Sequence, residues 1–345
     1  MLTNESLKYL RHLKINNPNN SVNLNKLFTK FENHKYNYDE PDISHVKIKK
    51  PNFNKYIAKN LKKKVKNYKN TILVKWVVNT QYKIDCNLYI HSKSKNKSIN
   101  EKTLNLLVYI ISFTASLSSK GRTFDIHVVL LPDKKFFLKK FTTNEVNSGV
   151  TSYGNNRATV LVYRREECIK VIIHEMIHGL GFSDIEDTRT VIDHYNEKYN
   201  INCTKINLNE TYTEIWAKLI NCYLVTKING RLMDNKYNYF CYLIDCERMF
   251  SSIQATKIIK HLKNTDKKIN LSKNTSIVGY YLAINELINN LDAFLKMKFN
   301  DNNLFYLDNE SRFNNFITSI NKYYTVKVKN VFNKTFRMTS VELKI

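Results

Sequence analysis

Two histidines and a glutamate lie close together in the chain at a spacing that suits a metal ion. His174, Glu175 and His178 form the pattern H-E-x-x-H. Residues four apart lie on the same face of an α-helix, one turn apart, so both imidazoles can bind one metal ion. Glu175 lies on the adjoining flank, where its carboxylate can reach a water on that metal. Imidazole and carboxylate ligands with a fourth position left for water are typical of catalytic zinc, so we expect Zn²⁺ as the cofactor.

The residues around this motif are almost entirely apolar. Their periodicity predicts a helix over residues 165–180, with acidic side chains in its first turn and with Gly179 and Gly181 at its end. Burying two imidazoles and a carboxylate in such a run costs free energy unless they have partners. We therefore favour a metal site over the alternative of two core histidines that are satisfied by hydrogen bonds alone.

Strand patterns come before the motif helix, and helical patterns come after it. Apolar runs predict strands over residues 71–78, 86–90, 124–131 and 158–163, with a helix over residues 100–118. Further helices are predicted over residues 209–227, 238–263 and 275–294. This order predicts an α+β fold, in which a small mixed sheet and the motif helix are followed by a mostly helical C-terminal part.

These patterns divide the chain into three predicted parts. We expect a basic N-terminal extension over residues 1–68, a strand-rich subdomain with the motif helix over residues 69–183, and a mostly helical subdomain over residues 184–345. The extension has two helical fragments, over residues 4–14 and 54–66, but few large apolar residues. We therefore expect it to be only partly ordered.

Positive charge dominates the chain but not the motif region. The chain has 55 Lys and Arg against 30 Asp and Glu, a formal net charge of +25. Residues 1–70 hold 16 basic and 5 acidic side chains, whereas residues 157–220 hold 8 basic and 10 acidic ones. Residues 1–70 are thus a candidate surface for nucleic acid or another acidic partner. Lysine supplies nearly all of the excess and arginine is scarce, which weakens the nucleic-acid interpretation.

Cysteine usage and hydropathy indicate the compartment. The six cysteines are dispersed and include no C-x-x-C pair, which indicates reduced thiols. The N-terminal residues are polar, and the longest apolar stretch, residues 104–117, is too short and too interrupted to span a bilayer. We therefore expect no membrane partner and a cytoplasmic protein that is not secreted.

Residues 171–182, with the sequence VIIHEMIHGLGF, resemble the active-site helix of the zincin metallopeptidases. Together with residues 147–149 and 163–167, they are also similar to uncharacterised candidate metalloproteases encoded by large DNA viruses. The resemblance covers residues 147–222. It implies a zincin-like fold, zinc held by His174 and His178, Glu175 as general base, and a protein or peptide substrate. A viral origin would place the protein in the host cytoplasm or the virion.

Two zincin patterns offer different third ligands. In the metzincin pattern a glycine turns the chain, and Gly181 with Asp184 fits that spacing. In the gluzincin pattern the ligand is a glutamate on a later helix, and Glu214 is the natural candidate, 36 residues past His178. We favour Glu214, because Met233 is the only candidate for the methionine turn of a metzincin and it follows a long helix.

Four further side chains after the motif stay open as alternatives. His194 is a weaker candidate for the third ligand, and Glu210 is either a hydrogen-bond acceptor for a ligating histidine or a solvated carboxylate. For the oxyanion, zincins often use a Tyr, His or Arg from a later helix. Tyr280 and Tyr281 are the candidates in this sequence. We also expect the strand over residues 158–163 to pair with an extended peptide.

The alternative function is a basic nucleic-acid-binding or virion-associated structural protein whose fold is stabilised by zinc. It would bind DNA or RNA tightly and with a steep salt dependence through residues 1–70. The metallopeptidase hypothesis instead depends on the motif and on a downstream glutamate.

Overall fold

A computed structural model describes the chain except for residues 16–17, 48–56, 95–98, 139–140, 231–234, 266–267, 272 and 274. The chain divides into two units. The sheet unit comprises His34–Lys134, Asn147–Gly181 and Ile345, and the helical unit comprises Met1–Asn33, Lys135–Val146 and Phe182–Lys344. This division differs from the predicted one, because the first 33 residues belong to the helical unit and those that follow belong to the sheet unit.

The sheet unit is built on one mixed sheet. Its strands are β1 (Asn37–Tyr38), β2 (Asp42–Val46), β3 (Asn70–Asn79), β4 (Lys83–Ser92), β5 (Arg122–Leu131), β6 (Gly149–Tyr153) and β7 (Arg157–Arg164). The spatial order is β1-β3-β4-β5-β7-β6, and β2 also pairs with β3. The pairs β4–β5 and β5–β7 are parallel, whereas β3–β4 and β6–β7 are antiparallel. The prediction of a mixed sheet in an α+β chain is therefore confirmed.

Helices cover parts of both faces of this sheet. The sheet unit contains α3 (Lys59–Lys66), α4 (Glu101–Ser116) and α6 (Cys168–Leu180). A β-carbon on Gly179 would lie 2.8 Å from Phe124 of β5 and from Ala158 of β7, so glycine lets α6 approach the sheet closely. Leu61 and Val65 of α3 instead pack with Val129, Leu131 and Leu161. Because side chains alternate along a strand, these residues lie on the opposite face.

The helical unit carries the remaining helices. They are α1 (Asn4–Leu13), α2 (Val22–Glu32), α5 (Thr143–Val146), α7 (Arg189–Tyr199), α8 (Leu208–Asn229), α9 (Lys236–Lys263), a π-helix (Val278–Ala283), α10 (Ile284–Asn289), α11 (Leu291–Lys298), α12 (Glu310–Thr318) and a short 3₁₀-helix (Asn330–Phe332). The predicted helices over residues 209–227 and 238–263 are confirmed as α8 and α9. The pattern over residues 275–294 is divided among the π-helix, α10 and α11. Among the described residues, no helix combines the length and the apolar character that crossing a bilayer requires.

The first 33 residues have a buried face, which the sequence pattern did not indicate. Helix α2 buries Leu24, Leu27 and Phe31 at 3% exposure or less. Their spacing of three and four residues forms an apolar stripe on one side of the helix. The lysines of α2 lie at positions outside this stripe. The net positive charge of the segment therefore did not indicate that α2 is an amphipathic helix.

The C-terminal segment, residues 332–343, is buried except for Asn333 and Lys334, although it has little regular secondary structure. The Glu247 carboxylate of α9 accepts hydrogen bonds from the backbone N–H of Ser340 at 2.7 Å and of Val341 at 3.1 Å. Lys218 Nζ of α8 lies 2.6 Å from the same carboxylate and donates to the Met338 carbonyl. Side chains of two helices thus satisfy the backbone groups that an irregular buried segment leaves open.

A buried lysine of α9 contacts the same segment. Lys257 is 6% exposed, and its Nζ donates hydrogen bonds to the carbonyl oxygens of Phe332, at 3.0 Å, and Thr335. The rings of Phe137 and Phe336 lie 5.1 and 5.9 Å from Nζ. Because burial removes water from the ammonium group, it lowers the pKa of Lys257 to about 7.

This pKa predicts that the stability of the protein rises with pH. An unfolded lysine has a pKa of about 10.4, so between about pH 7 and about pH 10.4 the unfolded state binds more protons than the folded state. The cost of burying the charged lysine is therefore full below about pH 7 and is lost as the pH rises through this window. From about pH 6.5 to about pH 9.5 we expect the Lys257 contribution to the free energy of unfolding to rise by about 3 kcal/mol.

Urea unfolding of the wild type and of Lys257→Met checks this prediction. Methionine keeps an unbranched apolar side chain, and its loss of hydrogen bonds to two carbonyls shifts stability by an amount that does not depend on pH. From about pH 6.5 to about pH 9.5, the free energy of unfolding of the wild type should rise by about 3 kcal/mol more than that of the variant. Parallel curves for the two proteins would contradict the depressed pKa.

Candidate metal centre

The motif helix α6 begins and ends at left-handed residues. Glu167 precedes its first residue with φ 60°, and Gly181 follows its last with φ 72°. The helix therefore starts at Cys168 and not at the predicted residue 165, so no acidic side chain lies in its first turn. At the other end, the Gly181 N–H donates to the carbonyls of Ile177 and His178, which ends the helix just past the second histidine.

The two histidines of α6 lie one turn apart on one face, as their spacing predicts. Their ring centroids are 4.9 Å apart, with an angle of 74° between the ring planes. His174 is 4% exposed and His178 is half-buried. An edge-on arrangement of neighbouring rings allows a nitrogen of each to point at a common position.

Glu210 supplies the third potential ligand. One nitrogen each of His174 and His178 and one carboxylate oxygen of Glu210 all lie within 4.8 Å of one another. This group could hold a metal ion, and it is the only such group of histidine, cysteine and acidic side chains in the part of the chain that the structure describes. Glu210 is half-buried in the first turn of α8.

The expected ligand Glu214 does not belong to this group. It lies one turn further along α8, is fully buried, and has Lys218 Nζ 3.8 Å from its carboxylate. Glu210 and Glu214 are four residues apart, so they share one side of the helix. The helix is buried on almost every side, so the sequence pattern could not show which of the two carboxylates groups with the histidines.

The other candidates for the third ligand lie outside the group as well. Asp184 is exposed in the loop after α6. His194 is half-buried in α7, where burial lowers its pKa and nearby Lys198 lowers it further. Met233 lies outside the described residues. The geometry therefore brings together the two histidines and a glutamate of a later helix, although it is not the glutamate that we expected.

Asp187 fixes the start of the helix that carries Glu210. Its carboxylate accepts hydrogen bonds from the backbone N–H groups of Ile206 at 2.6 Å, Asn207 at 2.7 Å and Leu208 at 2.9 Å. A carboxylate there satisfies open donors and complements the helix dipole. Asp187 was not predicted from the sequence, because it lies 21 residues before Leu208 and no local capping pattern marks it.

Glu175 is held by an edge strand of the sheet. Thr151 Oγ1 of β6 lies 2.7 Å from Glu175 Oε2 and 2.9 Å from the Glu175 carbonyl oxygen, and it is the donor to both. A β-carbon on Gly149 would lie 2.7 Å from Glu175 Cγ and Oε1, so glycine leaves room for the carboxylate. Burial raises the pKa of the Tyr163 phenol, the charge of Arg164 lowers this pKa, and the charge of Glu175 raises it further.

The structure distinguishes the two tyrosines that were predicted to stabilise an oxyanion. Tyr281 is 2% exposed, its hydroxyl donates to the Phe336 carbonyl at 2.8 Å, and its ring stacks on Phe336. Tyr280 is half-buried in the π-helix. A β-carbon on the preceding Gly279 would lie 2.7 Å from the Asn207 carbonyl oxygen, so the π-helix packs closely on the start of α8. The Tyr281 hydroxyl is thus engaged with Phe336, and the role of Tyr280 stays a prediction.

The donor set indicates which metal this centre suits. Two imidazole nitrogens and one carboxylate oxygen are ligands of catalytic zinc sites, whereas Ca²⁺ and Mg²⁺ prefer oxygen ligands alone. Tetrahedral zinc places its ligand atoms about 3.4 Å apart. The separations within 4.8 Å therefore require only small side-chain movements to close around the ion.

Comparison with known proteins finds no matching family model, no matching curated protein and no matching solved structure. The similarity of residues 171–182 to the zincin helix therefore remains a resemblance in sequence. Function is therefore inferred from the chemistry of His174, His178, Glu210 and Glu175.

Proposed function

We propose that the protein is a zinc-dependent metallopeptidase. The observation that carries the proposal is that ligand atoms of His174 and His178 of α6 and of Glu210 of α8 lie within 4.8 Å of one another. The H-E-x-x-H pattern of α6 also supplies Glu175. Thr151 holds Glu175 by a hydrogen bond, and Glu175 is not one of the three grouped ligands. Three protein ligands and a separate carboxylate are what metal-assisted hydrolysis requires.

Each side chain has a distinct role in the proposed reaction. When bound, zinc supplies a Lewis acid that polarises a carbonyl and lowers the pKa of water. Glu175 accepts a proton from the attacking water as the new carbon–oxygen bond forms, and it delivers that proton to the amine nitrogen as the carbon–nitrogen bond breaks. Tyr280 is our candidate donor to the oxyanion, because the Tyr281 hydroxyl already donates to Phe336.

The edge strand β6 is the proposed platform for the substrate. We expected residues 158–163 to pair with a peptide, but this strand, β7, is paired with β5 on one side and with β6 on the other. In the described sheet, β6 is the terminal strand on that side. Because Thr151 of β6 contacts Glu175, a peptide added to this edge would run beside the general base.

Removal of the metal provides the test of the proposal. Incubation with a mixture of unstructured peptides and analysis by mass spectrometry should show cleavage that 1,10-phenanthroline abolishes and that added Zn²⁺ restores. Glu186→Gln, which removes an exposed carboxylate eight residues past His178, should cleave like the wild type. Absence of cleavage by protein that contains one zinc per chain would contradict the proposal.

The hydrogen bond from Thr151 predicts a second effect on activity. Thr151→Val keeps the shape of the side chain but removes the donor to Glu175 Oε2, which lies 2.7 Å away. A hydrogen bond to a charged group contributes about 1.5–3 kcal/mol, so kcat should fall by about 10- to 100-fold. Thr151→Ser keeps the hydroxyl and should restore most of the rate, with zinc content unchanged in both variants. Equal rates for the serine and valine variants would show that Thr151 acts only through packing.

A further inference from the structure

Helix α3 is far richer in lysine than the rest of the chain. Five of its eight residues are lysine, whereas Lys and Arg together account for 55 of the 345 residues of the chain. Residues 57–69, which include the helix, contain no Asp or Glu. Compositional bias spread evenly along the chain does not produce this concentration, so α3 differs from the other basic segments.

Packing fixes α3 with its lysines outward. Leu61 and Val65 are 1% and 7% exposed within an apolar cluster on the sheet. Lys59, Lys63 and Lys66 are exposed and lie at positions i, i+4 and i+7, which form one stripe on the opposite side of the helix. The apolar residues thus hold these three ammonium groups at fixed positions on the surface of the sheet unit.

Other lysines extend this stripe into a larger surface. Lys64 is not part of it, because Lys64 pairs with Asp133. Lys93 Nζ lies 5.4 Å from the centroid of the Tyr68 ring, which places it beside the end of the helix. We define the basic face as the half-buried or exposed lysines on and next to α3 other than Lys64, namely Lys59, Lys62, Lys63, Lys66, Lys69 and Lys93.

We propose that the basic face binds the phosphate backbone of nucleic acid without reading its sequence. At a rise of about 1.5 Å per residue, the stripe from Lys59 to Lys66 extends over about 10 Å. Duplex DNA carries one charge per about 1.7 Å of its axis, so several phosphates fit along this length. Lysines are point charges that contact phosphates, whereas the planar guanidinium group of arginine suits bidentate recognition of bases. Residues 57–69 contain no arginine.

A membrane surface fits the basic face less well. Amphipathic helices that bind membranes insert their apolar side between the lipids. The apolar side of α3, Leu61 and Val65, is already buried on the sheet. What α3 offers to a partner is therefore charge alone, which favours a polyanion of high charge density.

Binding of a fluorescent 20-base-pair duplex by the full chain tests the proposal. Anisotropy is measured over a series of salt concentrations for the wild type and for Lys59→Gln/Lys63→Gln/Lys66→Gln. Glutamine keeps the helix propensity of lysine. The control is Lys260→Gln/Lys263→Gln/Lys296→Gln, which removes three exposed lysines from helices of the helical unit.

Each lost phosphate contact makes the negative slope of log K against log salt shallower by about 0.9. The slope of the α3 variant should therefore be shallower than that of the wild type by about 3. It should also bind at least about tenfold more weakly at physiological salt, and the control should change the slope by less than about 1. Equal changes in the two triple variants would overturn the proposal, because binding would then depend only on total charge. Tighter binding to anionic lipid vesicles or to polyglutamate than to the duplex, with the same loss in the α3 variant, would overturn the choice of partner.

Discussion

Replacing Glu175 with glutamine is expected to lower kcat/KM for peptide hydrolysis by about 10²- to 10⁴-fold while zinc remains bound. Glutamine matches the size of the side chain, so it fits beside Gly149, where a β-carbon would lie 2.7 Å from Glu175 Cγ. Its amide oxygen can still accept the hydrogen bond from Thr151. It cannot accept the proton of the attacking water, so only the chemical step should be lost.

Zinc content and activity have to be measured on the same samples of Glu175→Gln. One zinc per chain with the rate lost would assign Glu175 to proton transfer. The Glu186→Gln control has a similar change in charge but no expected contact with the site, and it should keep the wild-type rate. If Glu175→Gln keeps more than about one tenth of the activity with zinc bound, Glu175 is not the general base.

Replacing Glu247 with alanine is expected to lower the free energy of unfolding by about 3–5 kcal/mol. Glu247 is fully buried, and its carboxylate lies 2.6 Å from Lys218 Nζ. It also accepts hydrogen bonds from Thr339, Ser340 and Val341. Alanine would leave a charged lysine and the backbone N–H groups of Ser340 and Val341 buried without this acceptor, which is more costly than the loss of a surface ion pair.

The helical unit contains a matched control for this prediction. Glu32 pairs with Lys227 at 2.9 Å, but both side chains are about 30% exposed. Glu32→Ala should therefore cost at most about 1 kcal/mol. Urea unfolding of the full chain compares the two variants. Equal losses would mean that Glu247 does not hold the C-terminal segment in the way its hydrogen bonds indicate.

The parts of the site that were predictable from the sequence are those set by local periodicity. His174, Glu175 and His178 are four residues or fewer apart, so the helix repeat alone places the two imidazoles on one face. Helices α8 and α9 were predictable for a similar reason, since their apolar runs are long. The helix, the two histidines and the separate position of Glu175 all follow from contacts within a few residues.

The rest of the site depends on contacts between residues that are distant in the sequence. Glu210 and Glu214 share a helix face, so spacing could not decide between them, and the structure groups Glu210 with the histidines. Asp187 and Thr151 act on backbone or side-chain atoms about 20 residues away. Strand β6 was not predicted, because it has only five residues and one buried apolar side chain, Val150, which packs in the same apolar cluster as Leu61 and Val65 of α3.

Net charge was a poor guide to domain organisation. The excess of lysine in the first 68 residues predicted one partly ordered extension. In the structure, α1 and α2 bury apolar stripes in the helical unit, and α3 packs on the sheet. Long lysine side chains project from these helices without disturbing their buried faces, so charge and order are independent in this segment.

The most direct test of the account is the position and coordination of the metal. A crystal of the zinc-loaded protein, with data collected on both sides of the zinc absorption edge, locates the ion by its anomalous signal. We expect one peak, bound by nitrogens of His174 and His178 at about 2.0–2.1 Å and by a carboxylate oxygen of Glu210, with a fourth position open to water. A peak that is bound by Glu214 or Asp184 in place of Glu210, that has four protein ligands, or that lies away from α6 would contradict it.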